Sequence, residues 1–477
     1  MRKSIAPLLA AALLCCSCPT DSDSGDDGPA DITVPVDLMG MVHAGSGTPI
    51  AENANVQNQF DLLDEIGVKW ILDDFSWSAI QPEDKKDAPS GEWNWSGFDT
   101  YVANANAREK KILAILDYDT EWLHNGRKKD ENGNDIRVPV TDYMGSTVQE
   151  VLYNDDHVGR CIIGEDEIAR FCAYVRATVT RYNGENGYGK VDAWNIWNEP
   201  NLVPRFWTGT MDDFWKLSIA AAKTIREADP DAVIVVGALN SIATDEWIRG
   251  LYNSGTTQQA NFVGYHPYTT NATGTEINYR SFVDKSAPAF RSRIWITEVG
   301  HPTGGNYPTM VPATRMPQTI VKTVVLLAAG GAQKIFWYHL AETVPRNNPN
   351  DSENWFGLYT REDGVLTPKG YLPDAYKLVA DHIPGKIWRK DGLSGLNLPS
   401  NAQSHYFEGA DGKSVLVVWN DSAYNTITVE INLPGKNHVL YNPANAASSP
   451  VPASDIYTLS LRDSPNEKVL FFTWDAE

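Results

Sequence analysis

The sequence predicts a (β/α)8 TIM barrel followed by a C-terminal antiparallel β-sandwich. Three observations carry that reading. Eight short apolar runs alternate with helical periodicities between about residues 36 and 383. Two of those runs stop abruptly at a glutamate, Glu199 and Glu298, as strands do when their ends open on a cleft. After Pro384-Gly385 the helical period disappears and strand-like runs take over.

Taken in order, the chain begins with a stretch that reads as an export signal. Met1-Arg2-Lys3 is a basic start, and Ile5 to Leu14 is an apolar run too short to span a bilayer. Cys15, Cys16 and Cys18 follow at once, then the acidic, flexible stretch from Pro19 to Gly28. This resembles a bacterial lipoprotein signal, with Cys18 the first choice for lipidation and Cys16 the second. It implies an exported chain, anchored to a bacterial membrane through lipid on its periplasmic or cell-surface face. Ordinary cleavage and secretion is the alternative.

The expected barrel strands are residues 38–42, 68–73, 112–117, 191–197, 232–237, 262–266, 294–297 and 334–338. Helical patterns fall at 56–66, 98–110, 165–182, 211–228 and 314–329, with Ser96 placed to cap the second. A doubly wound sheet is the competing architecture. It would carry a Gly-rich phosphate loop after the first strand, and Gly40-Met41-Val42-His43-Ala44-Gly45 lacks that spacing. The polar insertion from 120 to 164 lies on the side where barrel loops form the active-site rim. Runs at 414–419, 426–433, 456–461 and 468–472 read as sandwich strands, and Ile32-Thr33-Val34 as an added edge strand. The expected organisation is therefore a signal peptide at 1–18, a tether at 19–34, a barrel at 35–385 and a β-sandwich at 386–477.

Composition narrows the function. A formal charge of -21 repels phosphate backbones and anionic lipid surfaces, so nucleic acid is not an expected partner. Cys161 and Cys172 could form a disulfide in an oxidising compartment, but Cys172 lies on the helical stripe Ile168, Phe171, Cys172, Val175, Val179, so a buried thiol fits equally. No metal and no cofactor are called for. A metal-dependent barrel hydrolase would want His-x-His near the first strand, and His43 stands alone there.

Two glutamates at the C-terminal ends of strands four and seven face each other across a barrel mouth. Glycoside hydrolysis needs that arrangement: one carboxylic acid to protonate the leaving oxygen, one carboxylate to meet the oxocarbenium-like carbon. Unequal burial and mutual repulsion can separate their pKa values.

Around these glutamates stand Trp197-Asn198-Glu199-Pro200-Asn201-Leu202 with Phe206-Trp207, then Gly264-Tyr265-His266-Pro267-Tyr268, then Ile296-Thr297-Glu298, then Phe336-Trp337. In that order they resemble clan A retaining glycoside hydrolases, and within the clan the family of β-xylosidases and α-L-iduronidases. The resemblance spans nearly all of residues 36–385. It implies Glu199 as acid/base, Glu298 as nucleophile, Asn198 as donor to the sugar 2-hydroxyl and Tyr268 as hydrogen-bond partner of Glu298. It further implies that His266 orients the network and that Trp337 floors the reacting sugar. Trp77, Trp122, Trp207 and Trp355 are candidates for outer subsites. One departure stands out. The resemblance implies an arginine late in strand two, beside the nucleophile, and Leu72 occupies about that position, followed by Asp73-Asp74. No cation that would hold a substrate carboxylate is evident. The expected partner is an oligo- or polysaccharide, with a non-catalytic, lipid-anchored glycan-binding protein as the alternative.

Overall fold

The computed structural model describes residues 30–42, 56–82, 93–124, 137–141, 147–152, 161–162, 164–203, 205–305, 310–342, 350–362, 365–462 and 464–476. Asp31–Glu477 forms one compact unit. The signal segment with Cys16 and Cys18, and His43, lie outside the described residues.

Eight parallel strands close into a barrel. They are β1 (Met39–Val42), β2 (Trp70–Asp74), β3 (Lys111–Leu116), β4 (Ala193–Ile196), β5 (Val233–Asn240), β6 (Phe262–His266), β7 (Ile294–Val299) and β8 (Lys334–Trp337). Each is followed by a helix: α1 (Val56–Glu65), α2 (Ser96–Ala107), α3 (Glu165–Arg181), α4 (Met211–Ala228), α5 (Asp245–Asn253), α6 (Ala272–Lys285), α7 (Met316–Ala329) and α8 (Leu372–His382). The period of two along each strand divides the apolar side chains between two cores. Trp70, Leu72, Leu113, Ile115, Val235, Trp295 and Phe336 fill the barrel interior. Ile71, Ile112, Ile234, Val263, Ile294 and Ile335 pack outward in the shell shared with the helices. The interior is tight where β1 meets β8. A Cβ on Gly40 would stand 2.5 Å from the Phe336 ring, so any larger residue there would push the two strands apart.

Helix starts follow local chemistry. Thr210, Thr244 and Asn271 accept hydrogen bonds from the Asp213, Trp247 and Gly274 amides and so cap α4, α5 and α6. Ser96 does not cap α2 as expected. It is the first helical residue, and its hydroxyl turns back to donate to Asn94 Oδ1. The insertion after β3 carries a short turn, Glu121–His124, and an antiparallel ribbon of Arg137–Thr141 with Thr147–Leu152. Cys161 and Cys172 are not bridged to each other.

Beyond the barrel, a seven-stranded sheet has the order Ile32–Thr33, β9 (Lys386–Trp388), β10 (Ala402–Gly409), β11 (Lys413–Asn420), β16 (Val469–Asp475), β13 (Lys436–Asn442), β14 (Ala447–Pro450). Ile32 pairs with Trp388, so strand structure begins within the stretch expected to be tether. One face of the sheet, with Phe407, Val415, Val417 and Phe471, joins the core shared by the barrel's helical shell. The other face, with Leu416, Val418 and Phe472, packs on the ribbon of β12 (Ile427–Asn432) and β15 (Ser454–Leu459) through Val429, Ile431 and Leu459. Every residue of α7 is buried. Its Lys322 pairs with the buried Glu467, and Gln318 Nε2 donates to the Glu467 carbonyl at 3.3 Å.

Candidate active site

Irregular backbone aims both glutamates. Regular alternation after Trp295, which faces the barrel interior, would turn Glu298 outward. The β7–β8 register slips between Ile296 and Val299, the kind of bulge that re-aims a side chain at a strand end. On β4 the change is sharper. Trp197 and Glu199 both take left-handed backbone angles, φ 64° and 44°, which non-glycine residues adopt at a cost of about 1–3 kcal/mol each. The surroundings hold them there. Trp197 N–H donates to Leu116 O, its indole N–H to Phe206 O, and Glu199 N–H to Ala238 O at 3.1 Å.

The two carboxyl groups meet at His266. Its Nδ1 lies 2.8 Å from Glu199 Oε1 and 3.5 Å from Glu298 Oε2, and its Nε2 lies 2.9 Å from Thr297 Oγ1. One oxygen of each glutamate and one ring nitrogen all fall within 4.8 Å of one another. Tyr268 donates its phenol O–H to Glu298 Oε2 at 2.9 Å, and Asn240 Nδ2 donates to Glu199 Oε1 at 2.7 Å. Glu199, Glu298, Asn198 and Tyr268 line one cavity of about 1010 Å³, and Asn198 Oδ1 makes no hydrogen bond there.

Trp337 is not where the sequence reading put it. Along β8, Ile335 faces out, Phe336 in and Trp337 out again, so Trp337 is 1% exposed in the helical shell and absent from the cavity wall. Tyr338, one residue on, faces the cavity instead. Trp77 and Trp207 are fully buried, and neither they nor Trp122 and Trp355 line the cavity. Its aromatic wall is Tyr118, Phe206, Tyr268, Tyr338 and Phe356.

Leu72 lies in the wall, with Asp74 on the same face of β2 by alternation. Asp73 accepts the Asp74 N–H at 3.0 Å through Oδ1, while its Oδ2 is buried without a partner. Burial and the neighbouring Asp74 charge push the Asp73 carboxyl well above its usual range.

The cleft does hold a cation that sequence reading missed. Arg205 lines it and pairs with Glu353, Nη2 to Oε1 at 3.1 Å. No local pattern signals that contact, because its partners lie far apart in the chain. Asn240 had a signal: Gly237 inside a strand pattern often marks a bulge. β5 does shift register there and runs on to Asn240.

Burial raises the Glu298 carboxyl to about 7. The His266 charge and the Tyr268 hydrogen bond pull it down, and Glu199 pushes it further up. For His266, burial lowers the pKa, but the Glu298 charge and the Glu199 hydrogen bond outweigh it, so the imidazole is held above its ordinary value. The three clustered atoms could also ligate a divalent cation, though Glu199 Oε1 already accepts from Asn240.

Known proteins share part of this sequence and most of this fold. Residues 162–289 match the family described as glycosyl hydrolases family 39. A β-xylosidase of Caldicellulosiruptor saccharolyticus is 35% identical over 100 residues, which is 20% of this chain and 19% of that protein, so the chain spans about a fifth of that relative's length. Among solved structures, a family 39 β-xylosidase from Caulobacter crescentus superposes with TM-score 0.60 at 15% identity, covering 94% of this chain and 98% of that one. A glucosidase from Croceicoccus marinus gives 0.60 at 13%, covering 94% and 98%. The catalytic domain of a family 30 xylanase C from Talaromyces cellulolyticus gives 0.58 at 16%, covering 93% and 98%. The stretch that carries Glu199 and His266 is thus similar to glycosyl hydrolases family 39, and the barrel around it shares its fold with these glycoside hydrolases.

Proposed function

We propose that the protein is a retaining glycoside hydrolase acting on β-linked glycosides of plant or microbial polysaccharides. The observation that carries this reading is the approach of two buried carboxyl groups from strands four and seven to within 4.8 Å. Retaining enzymes hold their pair about 5–5.5 Å apart, and inverting ones leave room for a water. Glu199 gives its proton to the leaving oxygen while a Glu298 oxygen bonds to the anomeric carbon. The glycosyl ester is then hydrolysed: Glu199, now ionised, takes a proton from the attacking water, and Glu298 departs as carboxylate. Tyr268 holds Glu298 for attack. His266 fixes the separation of the two acids, and Asn198 is placed to reach a sugar hydroxyl.

Replacing Glu298 by Ala should stop turnover of an aryl β-glycoside, and added azide should restore part of it as a glycosyl azide of inverted configuration. A variant that keeps the wild-type rate would end the proposal. The alternative, a glycan-binding protein without turnover, draws on two observations: no guanidinium stands at Leu72, and Glu298 is raised toward neutrality. Absence of turnover on a panel of aryl glycosides, with retained glycan binding, would favour it.

We further propose export and lipid anchoring through Cys18. Mass spectrometry of the mature N-terminus would find diacylglycerol on that cysteine; an unmodified N-terminus would refute the anchor. Among the described residues no helix is long and apolar enough to cross a membrane.

A further inference from the structure

We propose that Arg205 and Glu353 clasp the mouth of the cleft from opposite sides of the barrel and thereby favour attack at the ends of glycan chains; this rests on the glycosidase reading above. In the closed strand order β4 and β8 are diametrically opposed. Arg205 follows β4, and Glu353 lies in the turn Ser352–Trp355 after β8. Their side chains meet at 3.1 Å.

Each end is anchored. The Arg205 guanidinium stacks over Phe206 at 4.7 Å, Tyr338 donates to Glu353 Oε2 at 3.3 Å, and Asp351 Oδ1 caps the Glu353 amide at 3.1 Å. All belong to the wall of the same cavity. The clasp divides that wall into a side with Val42, Leu72 and Tyr118 and a side with Asn240, Tyr268 and Pro302. A glycan bound through its interior must occupy both sides, and so must thread beneath the clasp or part it. A chain end needs neither.

The pair is partly open to water, with side chains 56% and 38% exposed. Such pairs favour the closed arrangement by no more than about fivefold, and salt screens them. The clasp is therefore a bias that can be released.

The test is product analysis on soluble β-1,4-xylan and on a panel of aryl β-glycosides, for the wild type, R205A and E353Q. The wild type should release mainly monosaccharide. Both variants should raise the share of oligomeric products by up to about fivefold, and 1 M salt should move the wild type the same way while leaving R205A where it is. Predominantly oligomeric products from the wild type at low salt, or an unchanged ratio in both variants, would overturn the clasp while leaving the glycosidase reading intact. If no form turns over any aryl glycoside or xylan, the glycosidase reading falls and takes the clasp with it.

Discussion

The two ends of the barrel handle buried charge in opposite ways. At the N-terminal end Asp37 accepts hydrogen bonds from Lys111 and Lys334, each at 2.8 Å, and from the Trp70 indole at 3.0 Å. Lys334 also lies 5.5 Å from the Trp70 and Trp295 ring centroids. Burial opposes ionisation of Asp37, but the two lysines and the indole overcome it and hold the carboxyl far below its usual value. At the C-terminal end two carboxyls share one imidazole, and the result is the reverse: Glu298 is pushed up to about 7. The difference separates a charge compensated for stability from charges left under-compensated for chemistry, as expected for the two faces of this fold.

The largest effect that would sharpen the contrast is at the mouth. Glu298→Ala should lower kcat on an aryl glycoside by about 10^4-fold or more, and by removing a buried like charge it should not destabilise the fold in a denaturant titration. At the base, Asp37→Ala should strand the buried Lys334, with the half-exposed Lys111 left to water, and cost about 1–3 kcal/mol in the same titration, with the pH profile of the surviving activity unmoved. Equal loss of stability from both substitutions would break the comparison.

The pH profile comes next. Glu298 must be ionised to attack, so kcat/KM should fall as pH drops through about 7, where an ordinary carboxylate would lose its charge near 4. Leu72→Arg would supply the missing cation, and the acid limb should then move down by about 1–3 pH units, if the side chain fits the wall it now lines. An acid limb already near 4 in the wild type would show that Glu298 is compensated after all.

The smallest effect per group concerns buried imidazoles that belong to neither charge cluster. His301, His339 and His405 are buried, and burial lowers each imidazole to about 4. The unfolded chain binds these protons at about 6.5. The stability that their neutrality contributes is therefore present above that pH and is lost as pH falls toward 4. Each histidine should give a slope of up to about 1.4 kcal/mol per pH unit, measurable by unfolding between pH 7 and 5.

Much of this was legible in the residues. The eight strands were visible because buried parallel strands read as continuous apolar runs. Glu199 and Glu298 were visible because each ends such a run. The errors have physical causes. Reading Trp337 as the floor put the aromatic ring one position too early, and with a side-chain period of two a one-residue slip reverses the face. Ser96 looked like a cap because serine suits that position, but the helix starts on it. Arg205 and Glu353 were invisible because their pairing depends on closure of the barrel. The bulges at Gly237 and before Val299, which aim Asn240 and Glu298, are breaks in periodicity, and a periodic reading smooths them away.

The burial of α7 along its whole length bears on how far this chain can be shortened. A truncated chain ending near residue 385 would lose Glu467 and the sheet that shares its core with the barrel shell. It would leave a stranded lysine and a broad greasy flank facing water, and insoluble aggregates are the expected yield. The trailing domain is thus part of the barrel's wall, and searches for a minimal folded fragment should keep it.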